Sequence, residues 1–333
     1  MPYQQEKELV LNLQQALESS GYCNVAPILA KYTSVEYEVF AVHPFNKLQT
    51  STRAAEVIWE PLSAAFSSLQ RRQDIFFAGT DQSDNRTWVV SMGNFMGLFD
   101  QPWINIPPTN RIAMIRYAEF HCVVNGKITQ SALHLDIINL LGQQGIHVLP
   151  PETGQSFVYP GPLTHDGINY KDQPIDETRK TLSVLNQMIE DLDELNKQSD
   201  QRVPPEFLAR SWHDNMAWYG PGGIGASYTI ERYQQQHQYP FRENLKNKEF
   251  NGHIARVAEG SYAAFFGWPN LYNTPTGGFL GLPGNETRAA MRVVDVYRRD
   301  GEKLAENWVF IDLPYWLLQQ GLDVLARLKD QNR

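Results

Sequence analysis

Arg116-Tyr117-Ala118-Glu119-Phe120-His121 and Arg292-Val293-Val294-Asp295-Val296-Tyr297 are two apolar, β-rich stretches that hold matching places in the chain. From either one the register runs on without a gap. Asp136 falls on Asp312, and Gln143-Gln144-Gly145 falls on Gln319-Gln320-Gly321. Upstream, Ile106-Pro107 falls on Leu282-Pro283, and Leu29-Ala30-Lys31 resembles Leu208-Ala209-Arg210. Agreement of order and spacing over such lengths marks an internal repeat of one structural unit.

Each copy reads the same way. A helix is expected first, around Val25 to Tyr32 and from Pro205 to Asn215, the second opened by a proline suited to a first helical turn. A loop follows, His43-Pro44 in one copy and Gly220-Pro221-Gly222-Gly223 in the other. A second helix is expected from Arg53 to Leu69 and from Tyr228 to Leu245, bent or ended by Pro61 and Pro240. Strands come next: Asp74 to Ala78, Thr87 to Met92, Ile112 to Val124 and Arg288 to Arg298. Asn125-Gly126 and Asp300-Gly301 are hairpin signals. Helices followed by a run of strands point to an α+β fold with an antiparallel sheet. Between the copies, Leu182, Leu185, Met188, Ile189, Leu192 and Leu195 are spaced as the apolar face of a helix. The layout is then an N-terminal helix over 1–20, a first domain over 21–150, a crossing loop and linker helix over 151–200, and a second domain over 201–333.

Bulk properties narrow the function classes. A chain of 333 residues holds two ordinary domains. Its net charge of −8 argues against a nucleic-acid partner, which needs a basic face. No stretch is apolar for the length of a membrane span, and Met1 to Leu13 has no apolar signal core. Two cysteines, Cys23 and Cys122, with no Cys/His cluster, predict neither a disulfide framework nor a metal site and fit a reducing, cytoplasmic setting.

Ile106-Pro107-Pro108-Thr109-Asn110-Arg111 resembles the P-P-T-x-R turn of SnoaL-like polyketide cyclases. Asn125-Gly126-Lys127-Ile128 resembles their D-G-K-I hairpin, and Asp136 with Gly145 their D…Q-x-G ending. The second copy keeps that ending in Asp312 and Gln319-Gln320-Gly321 but has Leu282-Pro283-Gly284-Asn285 at the turn. The resemblance implies the cone-shaped α+β roll of the nuclear transport factor 2-like superfamily, with a curved sheet and helices around a deep apolar pocket. It implies that the two copies form an intrachain pseudo-dimer, with a homodimer of pseudo-dimers as a further level. It also implies cofactor-free cyclase or isomerase chemistry on a small apolar or polycyclic molecule. In the cyclases a proton-shuttling aspartate sits at a place held here by Leu133 and Val309, neither of which can carry a proton. A non-catalytic ligand-binding or scaffold protein on the same fold is the alternative.

Glu119 and Asp295 occupy equivalent strand positions that the resemblance turns toward the pocket, and are the candidate catalytic bases. Burial in an apolar cone raises a carboxyl pKa toward the range useful for abstracting a proton beside a carbonyl; the plainer reading is a strand carboxylate paired with an arginine. Tyr117, His121 and Tyr297 lie on the same strand faces and are candidate donors to a developing enolate oxygen. His43, Trp218, Tyr219 and Trp308 are candidate binding residues, with His43 and Tyr219 in the loop at the expected pocket mouth. Asp136 and Asp312 read first as helix caps. One copy can keep a pocket while the other supports the fold, and the sequence does not choose between them.

Overall fold

The computed structural model describes residues 3–197 and 202–331. The chain divides into two compact units. Unit 1 comprises Met1–Ile146, Pro160–Asp172 and Asp312–Arg333; unit 2 comprises His147–Tyr159 and Gln173–Ile311.

Unit 1 opens with α1 (Gln4–Ser19) and α2 (Val25–Tyr32), then β1 (Thr33–Ala41) and the short β2 (Lys47–Gln49). Next come α3 (Ser51–Ala54), a wide helical turn with i→i+5 bonding (Ala55–Trp59) and α4 (Glu60–Ala65). The chain then lays down β3 (Phe66–Thr80), β4 (Thr87–Phe99), β5 (Arg111–Val124) and β6 (Lys127–Leu135), and ends the sheet with α5 (Ile137–Gln143). The six strands lie in the order β2-β1-β6-β5-β4-β3.

Unit 2 repeats this series. It has α6 (Ile175–Lys197), α7 (Pro205–Leu208), β7 (Trp212–Tyr219), β8 (Ala226–Tyr228) and α8 (Ile230–Tyr233). A second wide turn (Gln234–Gln238) and α9 (Tyr239–Asn244) follow. The remaining strands are β9 (Leu245–Phe250), β10 (Ala255–Glu259), β11 (Tyr262–Pro275), β12 (Ala289–Asp300) and β13 (Lys303–Ile311). Their order, β8-β7-β13-β12-β11-β10 with β9 also on β11, is that of unit 1. The last helices, α10 (Leu313–Gln319) and α11 (Val324–Gln331), belong to unit 1.

The duplication extends to backbone detail. Thr50 and Thr229 both have positive φ, and each side chain caps a short helix by accepting the N–H of Arg53 or Arg232. The wide turns sit at the same place in both units, directly before α4 and α9, whose first turns carry Pro61 and Pro240. Proline donates no N–H and its ring crowds the carbonyl four residues back, so a widened turn relieves both. Asn125 and Gly126 both have positive φ in a two-residue hairpin turn; in the second hairpin Gly301 alone does. Asp136 accepts the N–H of Asn139, and Asp312 that of Tyr315, so both aspartates cap helices.

Two expectations need correction. The sheets are mixed, because β1 pairs parallel to β6 and β7 parallel to β13. A parallel neighbour needs a crossover, and the helices after β1 and β7 begin that crossover. The helix expected over Pro205 to Asn215 stops at Leu208, and Trp212–Tyr219 is a strand. Met216, Ala217, Trp218 and Tyr219 are all buried, as both faces of an interior strand must be. Tyr219 therefore lies at the end of β7, not in a loop, with Trp218 beside it.

Candidate active site

β12 and β13 build the floor of the site in unit 2. Asp295 stands opposite Val309, and Tyr297 opposite Asn307. Because side chains alternate across a sheet, Val293, Asp295, Tyr297, Asn307 and Val309 share one face. That face looks into a cavity of about 440 Å³. Met188 and Leu192 of α6 close one side, and Trp218 of β7 another. Tyr233, His237 and Phe241 close it from the helical segment after β8. Among the described residues this lining belongs wholly to unit 2.

Asp295 is the acidic group on that floor. Its Oδ1 accepts the Tyr297 hydroxyl at 3.1 Å and the Asn307 amide at 3.2 Å. Its Oδ2 has no protein partner among the described residues and is left to the cavity. Burial pushes the carboxyl up to about 7, against the opposing pull of the Asn307 and Tyr297 bonds. Near neutral pH both protonation states are populated, as a group that takes and returns a proton requires.

The equivalent ground in unit 1 is filled. Glu119 stands opposite Leu133, the same register as Asp295 and Val309. Its side chain is paired with Arg71, whose Nη1 lies 2.5 Å from Oε2 and whose Nη2 lies 3.3 Å from Oε1. Gln14 of α1 donates to Oε2 at 3.4 Å, and His121 Nε2 lies 3.6 Å away. The guanidinium of Arg71 rests over the rings of Phe95 and Tyr117. Tyr22 stacks on Trp59 and meets Phe95 edge-on. Burial pushes Glu119 up, but Arg71 and His121 outweigh it and hold the carboxyl down at about 2. The expected rise in pKa therefore fails at Glu119, because an arginine β3 brings in neutralises it.

The other candidates separate by unit and by sheet face. Tyr117 bonds Ser91 at 3.0 Å, and His121 Nδ1 bonds Ser131 at 2.8 Å, so both belong to the filled network of unit 1. His43 gives its backbone N–H to Asp312 and is not among the residues that line the cavity. Trp218 lines the cavity. Tyr219 and Trp308 stack on each other on the opposite face of the unit 2 sheet, away from the cavity. Tyr297 faces the cavity, but its proton is already given to Asp295.

Sequence reading missed Tyr233 and His237. Both hang from the second helix, four residues apart and so on one helical face, a spacing visible in the sequence. It also missed Arg71, 48 residues from Glu119 in the chain, for which no local spacing is a signal. Among the described residues no group of three His, Cys, Asp or Glu side chains is placed to hold a metal ion. No helix among them is long and apolar enough to cross a membrane.

No family model matches the chain, and no curated protein matches it. Solved structures do. A SnoaL-like protein from Jannaschia sp. CCS1, assigned by name to the polyketide cyclases, is 14% identical, with 45% of this chain and 96% of that chain covered and a TM-score of 0.34. An NTF2-like protein from Burkholderia xenovorans LB400 is 12% identical over 46% of this chain and 97% of its own, at a TM-score of 0.32. An NTF2-like protein from Anabaena variabilis ATCC 29413 is 16% identical over 40% and 89%, at 0.30. The chain is thus similar to SnoaL-like and NTF2-like proteins, each of which corresponds to less than half of it.

Proposed function

We propose that unit 2 binds a small, largely apolar carbonyl compound and moves a proton on it without a cofactor, as an isomerase or cyclase does. The observation that carries this reading is Asp295: one oxygen fixed by Tyr297 and Asn307, the other open to an aromatic-lined cavity. In the reaction Oδ2 takes a proton from the carbon beside the carbonyl. The C–H bond breaks, its electron pair forms the enolate double bond, and the charge moves to the carbonyl oxygen. The protonated Asp295 then returns the proton at another carbon, or the enolate carbon closes on a second carbonyl whose oxygen receives it. Asn307 and Tyr297 steady the carboxylate, and a ligand seated between the apolar walls displaces the water that would level its basicity.

Glu119 has no part in this proton transfer. A carboxylate held at about 2 by Arg71 is too weak a base to remove such a proton.

A second reading, a ligand-binding protein or scaffold without turnover, is favoured by one observation. The place at which the cyclases carry their proton-shuttling aspartate is Val309 on the cavity floor. The experiment that separates the two begins with native mass spectrometry of the purified protein, followed by denaturation to identify any co-purified molecule. That molecule is then offered to wild type and to Asp295→Asn. Turnover by wild type alone supports proton transfer. Tight binding with no turnover supports the second reading, and equal turnover by both proteins sinks the assignment of Asp295.

A further inference from the structure

The base at Asp295 needs a partner across the cavity, because an enolate oxygen in an apolar site is unstable without a donor. Tyr297, the donor nearest in sequence, gives its proton to Asp295. Tyr117 and His121 lie in unit 1. The cavity wall nevertheless carries two other polar side chains with nothing to bond. The Tyr233 hydroxyl has no hydrogen-bond partner among the described residues, and the ring lines the cavity. His237 lines the same wall, 5.6 Å from Tyr233 between ring centroids, and stacks on Trp218 at 4.2 Å with an interplanar angle of 19°. Its Nδ1 is buried with no partner.

We propose that Tyr233 and His237, presented by the helical segment around Gln234–Gln238, are the hydrogen-bond donors to the carbonyl and enolate oxygen of the ligand whose proton Asp295 takes. The proposal rests on the acid–base reading of unit 2. The tautomer of His237 follows from its surroundings. An N–H buried without an acceptor costs more than an unused lone pair, so the proton belongs on Nε2, the nitrogen left to the cavity. Burial holds the imidazole neutral by pushing its pKa down to about 3, so it is a donor without being a competing charge. Burial and then Asp295 push the Tyr233 phenol above its ordinary value, so it keeps its proton to donate. The stack on Trp218 fixes the plane in which the Nε2–H points. In unit 1, counting from the equivalent caps Thr50 and Thr229, the corresponding positions are Ala54 and Ile58, and neither can donate.

The test has two readouts. The first needs no ligand: nitrogen NMR of protein labelled in histidine, with His237 assigned by its loss in His237→Phe. A neutral ring protonated on Nε2 from pH 5 to 8 is expected. A ring protonated on Nδ1, or one that charges near pH 6, overturns the donor assignment whatever Asp295 does. The second uses 4-nitrophenol, whose ionised oxygen imitates an enolate and whose absorption reports its ionisation. At pH 8 it should bind Asp295→Asn more tightly than wild type, because the repelling carboxylate is gone. In that background Tyr233→Phe and His237→Phe should each weaken binding about 10-fold or more and shift the bound probe toward neutral phenol, the loss of one hydrogen bond to an anion. Circular dichroism confirms that the variants fold. Binding that responds to Asp295→Asn but to neither donor variant overturns this inference and leaves the base in place. Binding, or its absence, that does not distinguish Asp295→Asn from wild type counts against the acid–base reading itself.

Discussion

Phe250 holds in the second sheet the register that Arg71 holds in the first. Arg71 pairs with Phe95 and Phe95 with Ile115, four residues before Glu119. Phe250 pairs with Leu271 and Leu271 with Met291, four residues before Asp295. In the first sheet that register brings an arginine to the carboxylate, and in the second it brings a phenylalanine to the cavity. In unit 1 β3 runs unbroken and delivers Arg71 to the interior, whereas in unit 2 the chain breaks between β9 and β10 and leaves Phe250 at the cavity mouth, 56% exposed.

Asp295→Asn should make the folded protein more stable at pH 8 and leave it nearly unchanged at pH 4. The carboxyl sits at about 7 in the fold against an ordinary 3.8. A folded state that holds its proton more tightly than the unfolded chain loses stability as pH rises between those values. The full shift corresponds to on the order of 4 kcal/mol, and water entering the cavity beside Oδ2 reduces it to about 2–4 kcal/mol. Urea unfolding of both proteins at the two pH values measures the difference. An equal effect at pH 4 and pH 8 would contradict the raised pKa.

Arg71→Met should act in the opposite sense. Glu119, held at about 2, contributes stability that is present above its ordinary 4.5 and lost as pH falls toward 2. Without Arg71 that carboxylate is buried and unpaired, a loss of about 3–5 kcal/mol at pH 7. The deficit should shrink as pH falls and Glu119 takes a proton. The double variant Arg71→Met with Glu119→Gln should recover part of it at pH 7, since the remaining side chain is neutral. Denaturant midpoints at pH 7 and pH 4 read both effects.

Asp312→Ala should cost about 1–3 kcal/mol in unit 1. The substitution deprives the Tyr315 N–H at the start of α10 of its cap and the His43 N–H of its acceptor. Asp312→Asn keeps an acceptor oxygen and should cost less. Thermal unfolding of the two variants separates the capping bond from mere loss of the side chain.

The repeat was legible because paired strands leave residues that keep step. The span from Arg116 to Gly145 matches that from Arg292 to Gly321 without a gap, and both hairpins and both aspartate caps lie within it. Strand order was not legible in the same way. Nothing in the periodicity of Thr33–Ala41 says that it returns to pair parallel with β6 at the far end of the unit. Trp212–Tyr219 resists a strand reading because its apolar half, Met216 to Tyr219, is buried on both faces and lacks the alternation that marks a half-buried strand. At the site the two carboxylates were found by repeat position alone. What made them different, Arg71 and Gln14 against an open cavity, comes from β3 and α1, far along the chain.

Val309 and Leu133 offer the sharpest contrast between the units, because they hold one register position in different surroundings. Val309 borders the cavity beside Asp295, and Leu133 is buried opposite Glu119 in packed surroundings. Val309→Phe adds side-chain volume to space already open, so it should leave the unfolding midpoint within about 0.5 kcal/mol of wild type. It should also remove binding of any cavity ligand. Leu133→Phe adds volume beside the Arg71–Glu119 network and should cost about 1–3 kcal/mol through forced rotamers and backbone shifts. Thermal unfolding of the two variants, with ligand binding measured on both, tests the division of labour directly. Equal destabilisation by the two substitutions would mean that the cavity of unit 2 is no more open in solution than the packed interior of unit 1.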